Sequence, residues 1–187
     1  KQKKQKMKIQ KNYLSICIIA FLLFANNLIG QEKNPLFIGF QPGITVEPFY
    51  EKGEFDINLI PLVAELPISK RIDMRFVSIS NYHFGKKAGF SDIGINTILP
   101  IFLKKKESLI DRSEGFYLGP VLGLGRNLAN NHFTITTAGE IGYMFKAESR
   151  FTVSLGVQLG GSYFMYDNEP AVWRQHFGPK INLGWWM

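Results

Sequence analysis

Three histidines are the side chains of this sequence best suited to bind a transition metal. His83, His132 and His176 carry imidazole nitrogens, which are common ligands of zinc and copper. All three occupy the polar positions of stretches in which polar and apolar residues alternate, near the same end of each stretch. Those stretches are the third, sixth and eighth along the chain and are not expected to be neighbours. We therefore predict that the histidines stay apart and bind no metal.

A second combination, His132-Phe133-Thr134, places an imidazole two residues from a hydroxyl. A hydroxyl beside an imidazole and a carboxylate can act as the nucleophile in ester hydrolysis. No carboxylate completes this pair in the sequence, so we predict no catalytic residues. The single cysteine, Cys17, lies in an N-terminal apolar run, which leaves residues 31–187 without thiolate or disulfide chemistry.

Recurrent glycines also raise the possibility of a phosphate-binding loop. Such a loop needs a helix N-terminus to supply its amides, and no helical pattern follows Gly119, Gly123 and Gly125. We expect these glycines to make room between strands, and we predict no cofactor.

The N-terminal 30 residues have the pattern of a secretory signal peptide. Six lysines occur within the first 11 residues, an apolar run follows from Leu14 to Phe24, and Gly30 is a small residue suited to cleavage. The run of about eleven residues is shorter than the roughly 20 that a spanning helix needs. An uncleaved anchor is the alternative. Residues 1–30 contain six of the 22 basic residues and no acidic residue, so residues 31–187 contain 16 basic and 15 acidic residues. This nearly neutral balance gives no basis for nucleic-acid binding.

After residue 30 the sequence alternates between apolar and polar or small residues, which predicts strands and no helix. Clusters of turn-forming residues separate eight such segments. They cover residues 36–50, 55–68, 72–84, 91–103, 116–126, 132–145, 151–166 and 175–187. The simplest fold is an all-β, eight-stranded antiparallel up-and-down barrel over residues 31–187.

The two faces of these strands indicate what surrounds the barrel. In the seventh segment one face carries Leu155, Val157 and Leu159, whereas the other carries only polar or small residues, including Gln158. An interior built from the polar faces could not bury enough apolar area to fold in water, and the apolar faces would form a continuous exposed surface. A lipid bilayer around the barrel removes both problems, so we expect a transmembrane barrel.

Outward-facing aromatic residues test this interpretation, since they should form two girdles. One predicted girdle, at the end that carries the N-terminus, consists of Phe116, Tyr143, Phe145, Phe151 and Trp185. The other consists of Tyr50, Phe55, Tyr82, Phe84, Phe133, Tyr163 and Phe177. From Phe151 to Tyr163 a strand tilted by roughly 40° spans about 30 Å of height, close to the thickness of an apolar membrane layer.

The inward positions predict a filled interior, because an eight-stranded barrel is only wide enough for its own side chains. They carry Gln41, Glu47, Asp56, Asn58, Asp73, Arg75, Asn96, Glu140, Gln158, Lys180 and Asn182. We expect Arg75 and Lys180 to compensate Glu140 and Asp73. A narrow channel is the alternative to a plug.

Two features fit this barrel poorly. Six prolines, Pro42, Pro48, Pro61, Pro100, Pro120 and Pro179, lie inside the predicted strands, where each removes a ladder hydrogen bond. The longest connection, residues 104–115, lies on the periplasmic side, where turns are usually short. A miscounted strand would explain the long connection.

With its signal segment, alternating strands and aromatic last strand, the chain resembles the small outer-membrane β-barrel domain proteins of bacteria. The resemblance covers residues 35–187 and is carried by Gly-Pro-Val-Leu-Gly-Leu-Gly at 119–125, Glu-Ile-Gly-Tyr-Met-Phe at 140–145 and the closing residues 178–187. It implies a location in the outer membrane and no single shared activity. In that family the last strand commonly ends on an aromatic residue, whereas here Met187 follows Trp185 and Trp186.

These observations predict a monomeric, non-enzymatic outer-membrane barrel with a structural or interaction role. Its expected partner is outer-membrane lipid, and the sequence identifies no protein partner. A lipid-modifying enzyme is one alternative. Lipid A deacylases use a lipid-facing His-x-Ser pair where this chain has His132 and Thr134, and the palmitoyltransferase barrels begin with a helix for which residues 31–34 are too short. The other alternative is a soluble ligand-binding barrel, which would need apolar faces that point inward.

Overall fold

The computed structural model describes residues 35–45, 51–86, 88–147, 150–166 and 170–187. Residues Pro35–Met187 form one compact unit. The predicted signal peptide lies outside the described residues. Within the described part of the chain every regular element is a strand. No helix in that part is long and apolar enough to span a membrane.

Eleven strands follow one another along the chain. They are β1 (Phe37–Phe40), β2 (Ile44–Thr45), β3 (Phe55–Asn58), β4 (Leu62–Pro67), β5 (Asp73–Phe84), β6 (Gly89–Ile98), β7 (Ile101–Phe102), β8 (Gly115–Asn127), β9 (His132–Lys146), β10 (Phe151–Tyr166) and β11 (Val172–Trp186). Because β1 and β2, β3 and β4, and β6 and β7 each continue one another, the eleven make eight barrel strands.

Antiparallel pairing joins each barrel strand to the next and closes the sheet. The first strand pairs with the last, with Phe37 opposite Trp186 and Phe40 opposite Leu183. The backbone N–H of Leu36 also donates to the carbonyl of Met187. The predicted closed, eight-stranded, antiparallel barrel is therefore confirmed, and the described ends of the barrel, Pro35 and Met187, lie at the same rim, here called the terminal rim.

Three of the predicted strands are interrupted at a proline. Pro42 lies between β1 and β2, Pro61 between β3 and β4, and Pro100 between β6 and β7. A proline cannot donate to the ladder, but its carbonyl can still accept. Gln41 donates its backbone N–H to the Pro61 carbonyl at 2.7 Å, and Asp73 donates to that of Pro100 at 3.0 Å. Pro120 and Pro179 lie within β8 and β11, and Pro48 lies outside the described residues.

The second barrel strand contains a one-residue bulge at its interruption. Asn58 lies opposite Asn81 and Val63 lies opposite Val77, so five steps along this strand match four steps along β5. An extra residue exchanges the inward and outward positions beyond it. Consequently Asp56 and Glu65, which have opposite parity in the sequence, are both buried inside the barrel.

Candidate functional site

The outside of the barrel is apolar, and its interior holds the buried charged and amide side chains, as the sequence predicts, together with a cluster of buried apolar side chains. Along β10 the polar side chains of Thr152, Ser154 and Gln158 are buried, whereas Leu155 and Leu159 are 43% and 59% exposed. The same alternation holds on β8, β9 and β11. A water-soluble barrel has the opposite arrangement, because burial of apolar surface drives its folding.

Exposed aliphatic side chains form a band over five neighbouring strands, the fourth to the eighth of the barrel. They include Ile93, Ile95, Leu118, Leu122, Leu124, Ile141, Leu155, Val157, Leu159 and Ile181. A continuous apolar surface of this kind on a soluble monomer would be unusual.

Aromatic side chains lie at both edges of this band. At the edge near the terminal rim, Phe116 and Tyr143 contact each other with ring centroids 4.7 Å apart. Phe151 and Trp185 do so at 5.1 Å. At the opposite edge, Phe55 stacks on Phe84 at 5.1 Å.

The remaining predicted girdle residues lie at the expected strand ends, apart from Tyr50, which is outside the described residues. Two further aromatic side chains extend the girdle far from the terminal rim. Phe90 contacts Tyr82 at 5.7 Å, and Trp173 is 58% exposed.

The middle of the lumen is filled by an ion cluster around Arg75. The guanidinium donates to Glu65 at 2.6 Å and to Glu140 at 3.0 Å. All three side chains are no more than 1% exposed. One cation is thus shared by two buried carboxylates, which come from the second and sixth barrel strands.

Neutral side chains complete the coordination of Glu140. Tyr117 donates its hydroxyl to one carboxylate oxygen at 2.7 Å, and Gln158 donates its amide to the other at 2.6 Å. The Gln158 carbonyl oxygen in turn accepts from His176 at 3.1 Å. Gly142 makes this arrangement possible, because a Cβ at that position would lie 2.4 Å from the Tyr117 ring. These side chains form one hydrogen-bonded network across the middle of the lumen.

Below this network, the connection between β7 and β8 folds into the terminal rim. Lys106 is buried and donates to Asp73 at 2.9 Å and to Ser113 at 2.9 Å. Ser113 also donates to Asp73. The backbone of the same connection is held by Lys70, which donates to the Glu107 carbonyl at 2.6 Å. The connection between β7 and β8 thus closes the terminal rim, and we call it the floor. The number of barrel strands predicted from the sequence, eight, is correct.

An ion pair holds the outer side of this floor. Lys104 donates to Glu114, and the Lys146 ammonium lies 3.5 Å from the same carboxylate. The hydrogen bond from Lys104 is the main cause that lowers the pKa of Glu114, and the same bond raises the pKa of Lys104. Both groups lie in the connection before β8 begins at Gly115.

Above the ion cluster the lumen opens into a cavity of about 190 Å³. We call this cavity the cup. Most of the side chains in its wall are polar and come from seven barrel strands; they include Gln41, Asn58, Asn81, Asn96, Thr136, Ser162 and Lys180. Because the floor and the ion cluster lie beneath it, the cup opens at the end of the barrel away from the terminal rim.

The structure places ten of the eleven predicted inward residues in the interior, buried or lining the cup. Glu47 is outside the described residues. The predicted charge pairing is only partly correct, because Asp73 is compensated by Lys106 and not by Arg75 or Lys180. Three charged residues of the interior, Glu65, Asp92 and Lys106, were not predicted. Glu65 is hidden by the bulge that reverses its parity, and Lys106 lies in a segment with no alternating pattern.

The three histidines do not converge. His83 contacts Asp56 at 2.8 Å, His132 packs against the Tyr166 ring at 4.8 Å, and His176 contacts Gln158. Within the described residues no group of three or more histidine, cysteine, aspartate or glutamate side chains could hold a metal ion.

The His132-Phe133-Thr134 sequence does not present a hydroxyl to the outer surface. His132 is buried, and Thr134 lines the cup. Phe133 alone points outward and is 41% exposed. A lipid-facing nucleophile of the kind that deacylase barrels use is therefore not formed at this sequence.

No protein-family model, curated protein or solved structure matches this chain.

Proposed function

We propose that this chain is an integral outer-membrane β-barrel with a side-chain-filled lumen and a structural or interaction role. It would be related to the small outer-membrane β-barrel domain proteins that its sequence resembles. Residues 1–30 direct its export, and the terminal rim with its floor faces the periplasm. The cup faces the cell exterior.

The observation that carries this proposal is the inverted distribution of polarity. Charged and amide groups are buried in the barrel, while an aliphatic band between two aromatic edges is exposed. In water such a surface would drive association, whereas in a bilayer it matches the hydrocarbon core and its two interfaces. Barrel closure also pairs the strand edges, as a spanning sheet in lipid requires.

The two alternatives lack this support. A soluble ligand-binding barrel would need its apolar faces inside, and Arg75, Glu65 and Glu140 occupy the interior instead. A lipid-modifying enzyme would need a nucleophile and a base on the outer surface, and the closest sequence match faces the lumen.

The decisive experiment is expression of the full chain in a Gram-negative host, followed by membrane fractionation and gel electrophoresis of heated and unheated samples. We expect recovery in the outer membrane with a mobility that changes on heating, because a closed barrel resists detergent until it is boiled. A matched control that lacks residues 1–30 should remain inside the cell. Recovery of the full chain as a soluble periplasmic or secreted protein would refute the proposal.

A further inference from the structure

The cup has the size and the chemistry of a binding site for one small polar molecule. Its volume of about 190 Å³ is below the range of about 300–1,000 Å³ typical of drug-sized ligand sites. Most of the side chains that line it are polar, although its wall has about as much apolar as polar surface, whereas drug-sized sites are mostly apolar. A ligand must therefore be small and rich in hydrogen-bonding groups.

Lys180 provides the charge that selects among such ligands. Its ammonium lines the cup on β11 and forms no hydrogen bond or ion pair with the residues that the structure describes. Glu140 attracts it electrostatically. The carboxylate oxygens of Glu140, however, already accept from Arg75, Tyr117 and Gln158. The three N–H groups of Lys180 thus remain available to an acidic group in the cup.

The other walls carry groups that both donate and accept hydrogen bonds. Asn96 lies on β6, across the barrel from β11, and the hydroxyls of Thr136 and Ser162 contact each other at 2.8 Å on neighbouring strands. Amides and hydroxyls match the hydroxyl groups of a sugar, which also donate and accept. Phe164 adds an aromatic ring to the cup, against which the apolar face of a sugar ring can pack.

A carboxylate of the cup indicates how such a ligand would be oriented. Asp92 lies on β6, the barrel strand opposite β11, and accepts from the Asn127 amide at 3.0 Å. Repulsion from Asp92 and attraction by Lys180 both place an acidic group of the ligand on the β11 side.

We propose that the cup binds one acidic monosaccharide, with its carboxylate at Lys180 and its hydroxyls at the amide and hydroxyl side chains of the opposite walls. The sugar could be free or the terminal residue of a longer glycan, because the cup opens outward and holds a single ring. This inference goes beyond the proposed function, since it concerns the interior of the barrel whatever surrounds it.

The test is calorimetric titration of the barrel folded in detergent with D-glucuronate, D-glucose and a trisaccharide that ends in glucuronate. We expect glucuronate to bind with a dissociation constant of about 1 mM. Glucose should bind about tenfold more weakly, because it lacks the charge-assisted hydrogen bonds to Lys180. Binding of the trisaccharide as tightly as glucuronate would identify a glycan end as a possible source, and weaker binding would identify the free sugar.

Two lysine variants locate the site. Lys180→Met should reduce glucuronate binding to the level of glucose, whereas Lys105→Met, at an exposed lysine of the floor, should leave it unchanged. Heat-modifiable mobility of each variant shows that the barrel is folded. If a folded wild-type barrel binds neither sugar, or if Lys180→Met binds glucuronate as tightly as Lys105→Met does, the proposal is wrong. Either result would leave the outer-membrane proposal intact, since fractionation tests that independently.

Discussion

Arg75 is the residue on which the interior of the barrel depends most. It bridges Glu65 and Glu140, which belong to non-adjacent barrel strands, and also donates to the Tyr117 hydroxyl at 3.2 Å. A buried ion cluster is costly to desolvate, so its net stabilisation is small when it is complete. Removal of the shared cation, however, leaves two carboxylates without compensation in a site without solvent.

The first prediction concerns this cation. Arg75→Met should lower the free energy of unfolding by about 3–5 kcal/mol, because it leaves uncompensated buried charge. The measurement is urea-induced unfolding of the refolded barrel, followed by the loss of its heat-modifiable band. The double variant Arg75→Met with Glu65→Gln should recover part of the loss, since it removes one of the two buried carboxylates that Arg75→Met leaves without a cation. An unchanged urea midpoint for Arg75→Met would show that the cluster carries little of the stability.

A second prediction at the residue scale concerns Glu114 and pH. Because the pKa of Glu114 is lowered from its ordinary value of 4.5 in the folded chain, its stabilising contribution is complete above that value. The contribution is lost as the pH falls through the lowered pKa. Wild-type protein should therefore lose more stability than Glu114→Gln between about pH 5 and pH 3. Urea midpoints measured across this range test the prediction, and parallel pH curves for the two proteins would contradict it.

At the scale of elements, the interrupted strands show what the sequence could and could not predict. The alternating pattern gave all eight barrel strands, because the period of two persists wherever a strand has one polar and one apolar face. It did not place the breaks at Pro42 and Pro100, since an interruption that preserves parity leaves the pattern unchanged. The break at Pro61 contains the bulge, which does change parity, and for that reason Glu65 is absent from the predicted inward residues.

The connection between β7 and β8 was the least predictable element. Its residues follow no strand or helix period, so nothing in the sequence indicates that Lys106 turns inward to Asp73. The pair forms because Asp73 is the inward residue at the start of β5, where the terminal rim would otherwise leave a carboxylate buried without a cation. The length of this connection is thus explained by the charge inside the barrel that it covers.

The third prediction tests this floor. Lys106→Met should leave Asp73 without its cation, with an expected loss of about 3 kcal/mol in the free energy of unfolding. It should also loosen the connection, so that proteinase K cleaves the folded barrel within residues 103–114. Lys105→Met, which changes the exposed neighbour, should behave like the wild type in both measurements. Equal protease resistance of the two variants would show that the floor is held by its backbone contacts alone.

In the whole molecule, the sequence predicted the inward face of every barrel strand except the part of the second strand beyond its bulge, and the structure confirms that those faces point inward. What it could not predict is how the interior is divided along its length. From the terminal rim upward, the interior contains the floor with Lys106, then the ion cluster around Arg75, and then the cup. Each of them combines residues that are distant in the sequence and meet only when the barrel closes. The pattern within one strand does not indicate which residues of other strands it will contact. For that reason the cup around Lys180 could not be predicted from the sequence.

The fourth prediction asks what surrounds the whole barrel, and it uses two outward positions of β11. Ile181 is 46% exposed and lies midway between the aromatic residues Trp185 and Phe177, whereas the exposed Gln175 lies beyond Phe177. If the band faces lipid, Ile181→Arg should lower the free energy of unfolding in bilayers by about 2–4 kcal/mol, while Gln175→Arg, near the interface, should lower it by at most about 1 kcal/mol. In water both substitutions would be nearly neutral, because each adds a charge to an exposed site. Urea titration of both variants in phospholipid vesicles distinguishes these cases: a large difference between the two positions supports a membrane-spanning barrel, and equal stability would mean that the apolar band has another partner.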